Sequence, residues 1–300
     1  MARSSSPHHK TLPVPRLSLA GLVQLLRPRQ WVKNVFALAP LVFAGKFLDP
    51  SSVALALAAC ALFSLTASLV YIVNDIHDRE HDRRHPVKSK KRPIAAGRVS
   101  VQQAMGLWLV VAVAVAVGLY ELPRLAPVIL GYLALNLAYT FVLKHQPVID
   151  IFTIALGFVL RVYAGAVAIA VPVSSWMFVT TLCLALYLAA VKRRQELMQS
   201  GKEARKVLKS YSVSLADRYA EMSATGALVF YSLFVVTTRP ELVWSIPFVL
   251  YGLFRYWYVV EIMEGGESPT DALLKDWQLM VVVVLWGAVS AWSIMRGPHS

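Results

Sequence analysis

Nine long apolar runs dominate this chain, and they decide what it can fold into. Each is close to the roughly 20 residues a helix needs to cross about 30 Å of hydrocarbon. In that medium every backbone N–H and C=O must be satisfied within the segment, which leaves helices or a closed barrel. Runs this long and continuous, without strict alternation, predict helices. They fall at Trp31–Phe47, Val53–Val73, Ala104–Tyr120, Leu125–Leu143, Val148–Val171, Trp176–Val191, Met222–Val236, Leu242–Ile262 and Trp277–Met295. The expected architecture is therefore an all-α, polytopic membrane protein of about nine transmembrane helices. Only 16% of the 300 residues are charged and 57% are hydrophobic, which excludes a disordered chain.

Lysine and arginine are distributed very unevenly between the runs. With those at span ends counted in the adjacent loop, 24 of the 30 lie on one side and four on the other. The positive-inside rule then puts the N-terminus and the long loops 74–103 and 192–218 in the cytoplasm. Residues 1–30 read as a basic cytoplasmic segment without a removable signal peptide, and 31–300 as a single transmembrane domain in the cytoplasmic membrane. The net charge of +13 is concentrated where it meets anionic lipid headgroups and phosphorylated substrates. No soluble basic domain exists to bind nucleic acid. Cys60 and Cys183 lie far apart in apolar runs, which suggests neither a disulfide framework nor a zinc site.

At the exit of the second run the chain reads Asn74-Asp75-Ile76-His77-Asp78-Arg79-Glu80-His81-Asp82. On a continuing helix Asp75, Asp78 and Asp82 share one face. Stacked carboxylates repel, and a hard divalent cation relieves that repulsion. Mg²⁺ characteristically uses a few carboxylates together with substrate phosphate oxygens. Asn74, Asp75, Asp78 and Asp82 are thus the candidate metal ligands, with Asp75 and Asp78 central to catalysis. Just downstream, Arg92 beside Pro93 reads as a placed phosphate ligand, since a guanidinium fork matches phosphate oxygens. A metal and a basic fork together suggest a diphosphate substrate.

The string from Asn74 to Asp82, followed by Lys91-Arg92-Pro93 and Gly97, resembles the first aspartate-rich motif of the UbiA superfamily of intramembrane prenyltransferases. The resemblance extends to Arg27-Pro28-Arg29-Gln30-Trp31-Val32-Lys33-Asn34, to Tyr139 with Lys144-His145-Gln146, and to Leu160-Arg161 with Gly165. Ordinary members carry a second DxxxD motif after the sixth span. Here Lys192-Arg193-Arg194-Gln195-Glu196 stands in its place, which is similar to the branch that transfers phosphoribose to a polyprenyl phosphate. That resemblance implies a UbiA-type nine-helix bundle, 5-phosphoribosyl 1-diphosphate (PRPP) as donor, a polyprenyl phosphate as acceptor and Mg²⁺ as cofactor.

PRPP carries a 5-phosphate besides its diphosphate, and the acceptor brings a further phosphate. Exchanging a carboxylate for Lys192 and Arg193 moves the charge balance accordingly. Expected phosphate and substrate contacts are Lys33, Asn34, Arg92, Lys144, Arg161 and Arg193, with Lys192 and Glu196 joining the catalytic set. Arg161 and Arg255 lie within spans, and pairing with Asp150 or Glu261 would be a purely structural use of them. Arg194 reads as a positive-inside stop. An aromatic prenyltransferase is the nearest rival reading, but it expects a second pair of carboxylates. A transporter expects charges near the midplane and broken helices.

Overall fold

The computed structural model describes residues 18–84, 87–201, 206–262, 272 and 275–296, and all regular structure among them is helical. A short helix, α1 (Leu19–Leu26), leads into a 3₁₀ segment (Pro28–Leu38) and the short α2 (Ala39–Phe43). The long α3 (Pro50–His77) follows, then α4 (Arg79–Arg84) and α5 (Lys88–Lys91). The chain continues through α6 (Val101–Glu121), α7 (Ala126–Phe141), α8 (Ile149–Ala168), α9 (Ser175–Ser200), α10 (Val213–Thr238), α11 (Ile246–Glu261) and α12 (Trp277–Arg296).

Seven helical segments among the described residues are long and apolar enough to span a membrane: α3, α6, Pro123–Phe141 containing α7, α8, Ser175–Gln199 of α9, α10 and α12. The expected nine is not confirmed among the described residues, where two apolar runs take other forms. The first, Trp31–Phe47, is divided between the 3₁₀ segment and the five-residue α2, with Pro28 and Pro40 at their first turns. The eighth opens as a 3₁₀ turn over Pro240–Ser245, which leaves 16 residues for α11.

Polar contacts pin the irregular first segment to α3. Ser68 Oγ donates to Leu26 O at 2.9 Å and accepts from Trp31 Nε1 at 3.1 Å, while Asn34 Nδ2 donates to Ser64 Oγ at 2.9 Å. The buried face of α3 carries Ala56, Ala59, Ser64, Ala67 and Ser68. Small residues let helices approach closely where lipid offers no hydrophobic drive. A similar approach occurs at Gly165 of α8, where a β-carbon would sit 1.7 Å from Ala37 O. The N-terminal segment is not only a basic tail. From Leu19 onward it is helix, and Leu25 packs with Ile72, Ile94 and Val99; residues 1–17 lie outside the described residues.

The two loops expected at 74–103 and 192–218 are largely structured. α9 continues through its polar tail to Ser200, and α10 begins at Val213, nine residues before the apolar run. Hydropathy marks where lipid ends, whereas helix propensity carries Lys, Arg, Gln and Glu further. Ser100 opens α6 with a capping box, its Oγ accepting from Gln103 N at 3.1 Å and Gln103 Oε1 accepting from Ser100 N at 3.0 Å.

Candidate active site

The C-terminal ends of α3, α7 and α9 and the N-terminal end of α8 converge, and both charged motifs meet there. Two neighbours on α7 join the halves of the site. The Thr140 hydroxyl lies 2.5 Å from Asn74 Oδ1, and the Tyr139 hydroxyl accepts from Arg193 Nη2 at 3.2 Å. The aspartate motif and the basic motif, more than a hundred residues apart, are therefore held by consecutive side chains of one helix.

Asp75 is only 3% exposed, and its Oδ1 receives two guanidinium groups, from Arg27 and, at 2.6 Å, from Arg92. Its Oδ2 is buried with no hydrogen-bond partner. Asp78, 39% exposed at the end of α3, pairs with Lys144 Nζ at 3.3 Å. Asp82 pairs with Lys88 Nζ at 3.4 Å. The single helical face expected for the three aspartates is interrupted, because α3 ends at His77 and Asp82 sits on the separate α4. Asp75 still interacts electrostatically with both Asp78 and Asp82.

Among the described residues no three His, Cys, Asp or Glu side chains form a ready-made metal site. Around Asp75, Asn74 turns its Oδ1 to Thr140 and Asp82 faces Lys88. Asp75 and Asp78 remain a fit for a hard cation. One offers a buried carboxylate oxygen without a partner, and the other is accessible and one turn away on the chain. Two carboxylates suit Mg²⁺, which completes its shell with water and phosphate oxygens.

The second motif is buried more deeply than its composition suggests. Arg193 is fully buried, donating from Nε to Asp150 Oδ2 at 2.6 Å and from Nη1 to Glu196 Oε2 at 2.5 Å. Each of its three nitrogens has a partner within the protein, the third being the Tyr139 hydroxyl. Lys192 lies 4.0 Å from Glu196 Oε1 and is part-exposed, so it can reach a ligand. Arg194 is no surface stop either. It pairs with Asp217 at 2.7 Å and with Glu261, its guanidinium over Trp257.

Arg161 and Asn34 meet away from this rim. Arg161 Nε donates to Asn34 Oδ1 at 2.8 Å, Nη1 to Gly157 O at 2.7 Å and Nη2 to Tyr132 Oη at 3.1 Å. The guanidinium also lies over Phe63, Tyr132 and Phe158. Ser64, which holds Asn34, is eleven residues before Asp75 on α3, roughly 16 Å along the axis. Both side chains are buried and satisfied there, which makes them a structural clasp between the first segment, α7 and α8. The pairings suggested from sequence are exchanged: Asp150 belongs to Arg193, Glu261 to Arg194, and Arg255 to Asp276 at 2.7 Å. Lys33 is half-buried beside Asn34 in sequence.

Sequence reasoning gave no site role to Arg27, which stood only in the entrance string, to Asp150, named only as an ion-pair partner for a buried arginine, or to Tyr211. Arg27 has a left-handed backbone, with φ 52°, at the joint between α1 and the 3₁₀ segment, and the proline after it was the available signal. Asp150 and Tyr211 meet only through the fold, with Tyr211 Oη donating to Asp150 Oδ1 at 2.7 Å.

Fold and site together define a polytopic helical membrane protein whose charged cluster sits at one end of the bundle. The chain belongs to the UbiA prenyltransferase family, whose model matches residues 34–273. It is 36% identical to the decaprenyl-phosphate phosphoribosyltransferase of Mycobacterium tuberculosis (strain ATCC 25618 / H37Rv), over 94% of this chain and 97% of that one. To the protein of the same name from Corynebacterium glutamicum it is 35% identical, over 94% and 91%. Its fold is similar to that of a UbiA homologue from Archaeoglobus fulgidus solved with GPP and Mg²⁺, with a TM-score of 0.67 at 20% identity, covering 92% of this chain and 99% of the other.

Proposed function

We propose that the protein transfers the 5-phosphoribosyl group of PRPP to a polyprenyl phosphate, giving polyprenyl-phosphoryl-5-phosphoribose and diphosphate. The observation that carries this reading is the basic character of the second motif. Where a second acidic motif would hold metal, Glu196 is tied to Arg193 and faced by Lys192. The near full-length similarity to proteins named for this transfer supports it. An aromatic prenyltransferase needs a second carboxylate pair, and Glu196 is one carboxylate already neutralised.

Arg27, Arg92, Lys144 and Lys192 are cations able to meet phosphate oxygens, because each is part-exposed and paired with a carboxylate that a ligand can share. Together they match a donor with a diphosphate at one end of the ribose and a phosphate at the other. Asp75 and Asp78 would hold Mg²⁺, which supplies neutralisation of the departing diphosphate when bound. Asn74 and Asp82 adjoin that position, and Glu196 is close enough to Lys192 to orient it or to bind a ribose hydroxyl. The acceptor's phosphate oxygen is anionic near neutral pH, so attack on the anomeric carbon requires no strong general base. The bond formed is C1–O(phosphate), and the bond broken is C1–O(diphosphate). In this reading the site opens to the cytoplasm, where PRPP is soluble, and the isoprenoid tail stays in the bilayer.

The test is diphosphate release by purified protein supplied with Mg²⁺. Release should require PRPP and a polyprenyl phosphate together, with one ribosylated lipid formed per diphosphate. Release from PRPP alone at the same rate contradicts transfer.

A further inference from the structure

The connection from α7 to α8 holds the most strained backbone in the site. Val148 has φ 68° and ψ −49°, and Ile149 N donates to Pro147 O at 2.8 Å. That is a γ-turn of the rare form with positive φ, centred on a β-branched residue that strongly disfavours it. Such strain persists only where the surroundings over-determine it. Here the constraint is Tyr211. Its hydroxyl accepts from Val148 N at 2.9 Å and donates to Asp150 Oδ1 at 2.7 Å, so it grips both sides of the turn. Its ring packs with Leu197, Val207 and Leu208, which anchors the grip to the end of α9. Burial and the bond to Asp150 push the Tyr211 phenol well above its usual range, so the proton it donates is retained.

The same short connection carries Lys144, whose Nζ reaches Asp78, and it ends at Asp150, which holds Arg193 and through it Glu196. We propose that Tyr211 is a positioning residue for the transfer: by clamping the Val148 turn it holds Lys144 at the aspartate cluster and keeps the Asp150–Arg193–Glu196 chain in register with it. The proposal rests on the phosphoribosyl reading for its kinetic consequence, and on geometry alone for its structural one. No other element need move for the clamp to act, since Val148 N, Tyr211 Oη, Asp150 and Arg193 are linked by successive hydrogen bonds.

Tyr211→Phe keeps the ring and removes both hydrogen bonds. In the full-length protein it should raise the KM for PRPP about tenfold, the effect of one lost hydrogen bond of ordinary strength. kcat and the KM for polyprenyl phosphate should change less than threefold. Amide hydrogen exchange over 143–150 should accelerate. Val148→Gly removes the steric conflict at positive φ, so the double variant Tyr211→Phe, Val148→Gly should recover most of the PRPP affinity. A merely structural tyrosine would lower stability without this split and without rescue. Unchanged exchange over 143–150 in Tyr211→Phe overturns the clamp whatever the activity, and failure of the glycine to rescue overturns the role of the strained turn. Wild-type protein that forms no ribosylated lipid defeats the reaction instead, and the exchange measurement still judges the clamp.

Discussion

Arg193 and Asp78 belong to one polar cluster, yet loss of charge at each should register differently. Arg193 is fully buried between Asp150 and Glu196. Arg193→Ala leaves uncompensated carboxylates, one of them fully buried, and breaking a buried pair from one side costs about 3 to 5 kcal/mol. Denaturation in detergent should show that loss. Asp78 is 39% exposed and, among the described residues, pairs with Lys144 and His77. Asp78→Asn should shift stability by no more than about 0.5 kcal/mol, while turnover and the response to added Mg²⁺ collapse. Retained turnover in thorough chelator treatment would remove the metal from the account. Lys192→Ala should weaken PRPP binding by about 1.5 to 3 kcal/mol, roughly ten- to a hundred-fold, with far less effect on the acceptor. A Lys192→Asp variant should gain nothing with a prenyl diphosphate. Single residues were partly legible before the fold was known. Type and spacing singled out the carboxylates and Arg92, and the structure pairs Arg92 with Asp75, whereas Arg193 and Arg194 look alike in a Lys-Arg-Arg string. Only the helices around them decide that both are buried, one among Asp150, Glu196 and Tyr139, the other between Asp217 and Glu261.

Elements are where hydropathy and helix diverge. Pro28 and Pro40 turn the first apolar run into a 3₁₀ segment and a short helix, while α9 and α10 extend well beyond their apolar stretches. From this first segment and the joint before it, Arg27 reaches Asp75 and Asn34 meets Arg161. Its packing is testable at Gly165. Gly165→Ala would place a β-carbon 1.7 Å from Ala37 O, and backbone cannot yield as a flexible side chain does. The expected loss is at least the 1 to 3 kcal/mol typical of overpacking, ~3 or more here, seen as a lower melting temperature and weakened contact between α8 and the first segment. An unchanged melting temperature contradicts the close approach. The apolar sequence predicted where lipid contact lies, but not this joint, because a 3₁₀ segment and an α-helix share the same hydropathy.

At the scale of the whole molecule, the all-helical, multi-pass class was readable from run length, since it follows directly from what hydrocarbon tolerates. The pairing of the two motifs through Tyr139 and Thr140 was not, because it depends on the order in which helices pack. The charge asymmetry also carries an orientation: a cysteine at Ser89 should react with an impermeant reagent only when the cytoplasmic side is accessible. Labelling from outside intact cells would reverse the proposed topology. The central claim concerns the group transferred, and the most direct measurement offers the purified protein two labelled donors separately, PRPP carrying label in its ribose and a prenyl diphosphate carrying label in its chain. Each is supplied with Mg²⁺ and with both a polyprenyl phosphate and an aromatic acid as acceptors. Label from PRPP should pass into a new phosphoribosylated lipid, and the prenyl donor should remain unconsumed. Prenylation of the aromatic acid, with PRPP left intact, would contradict the account.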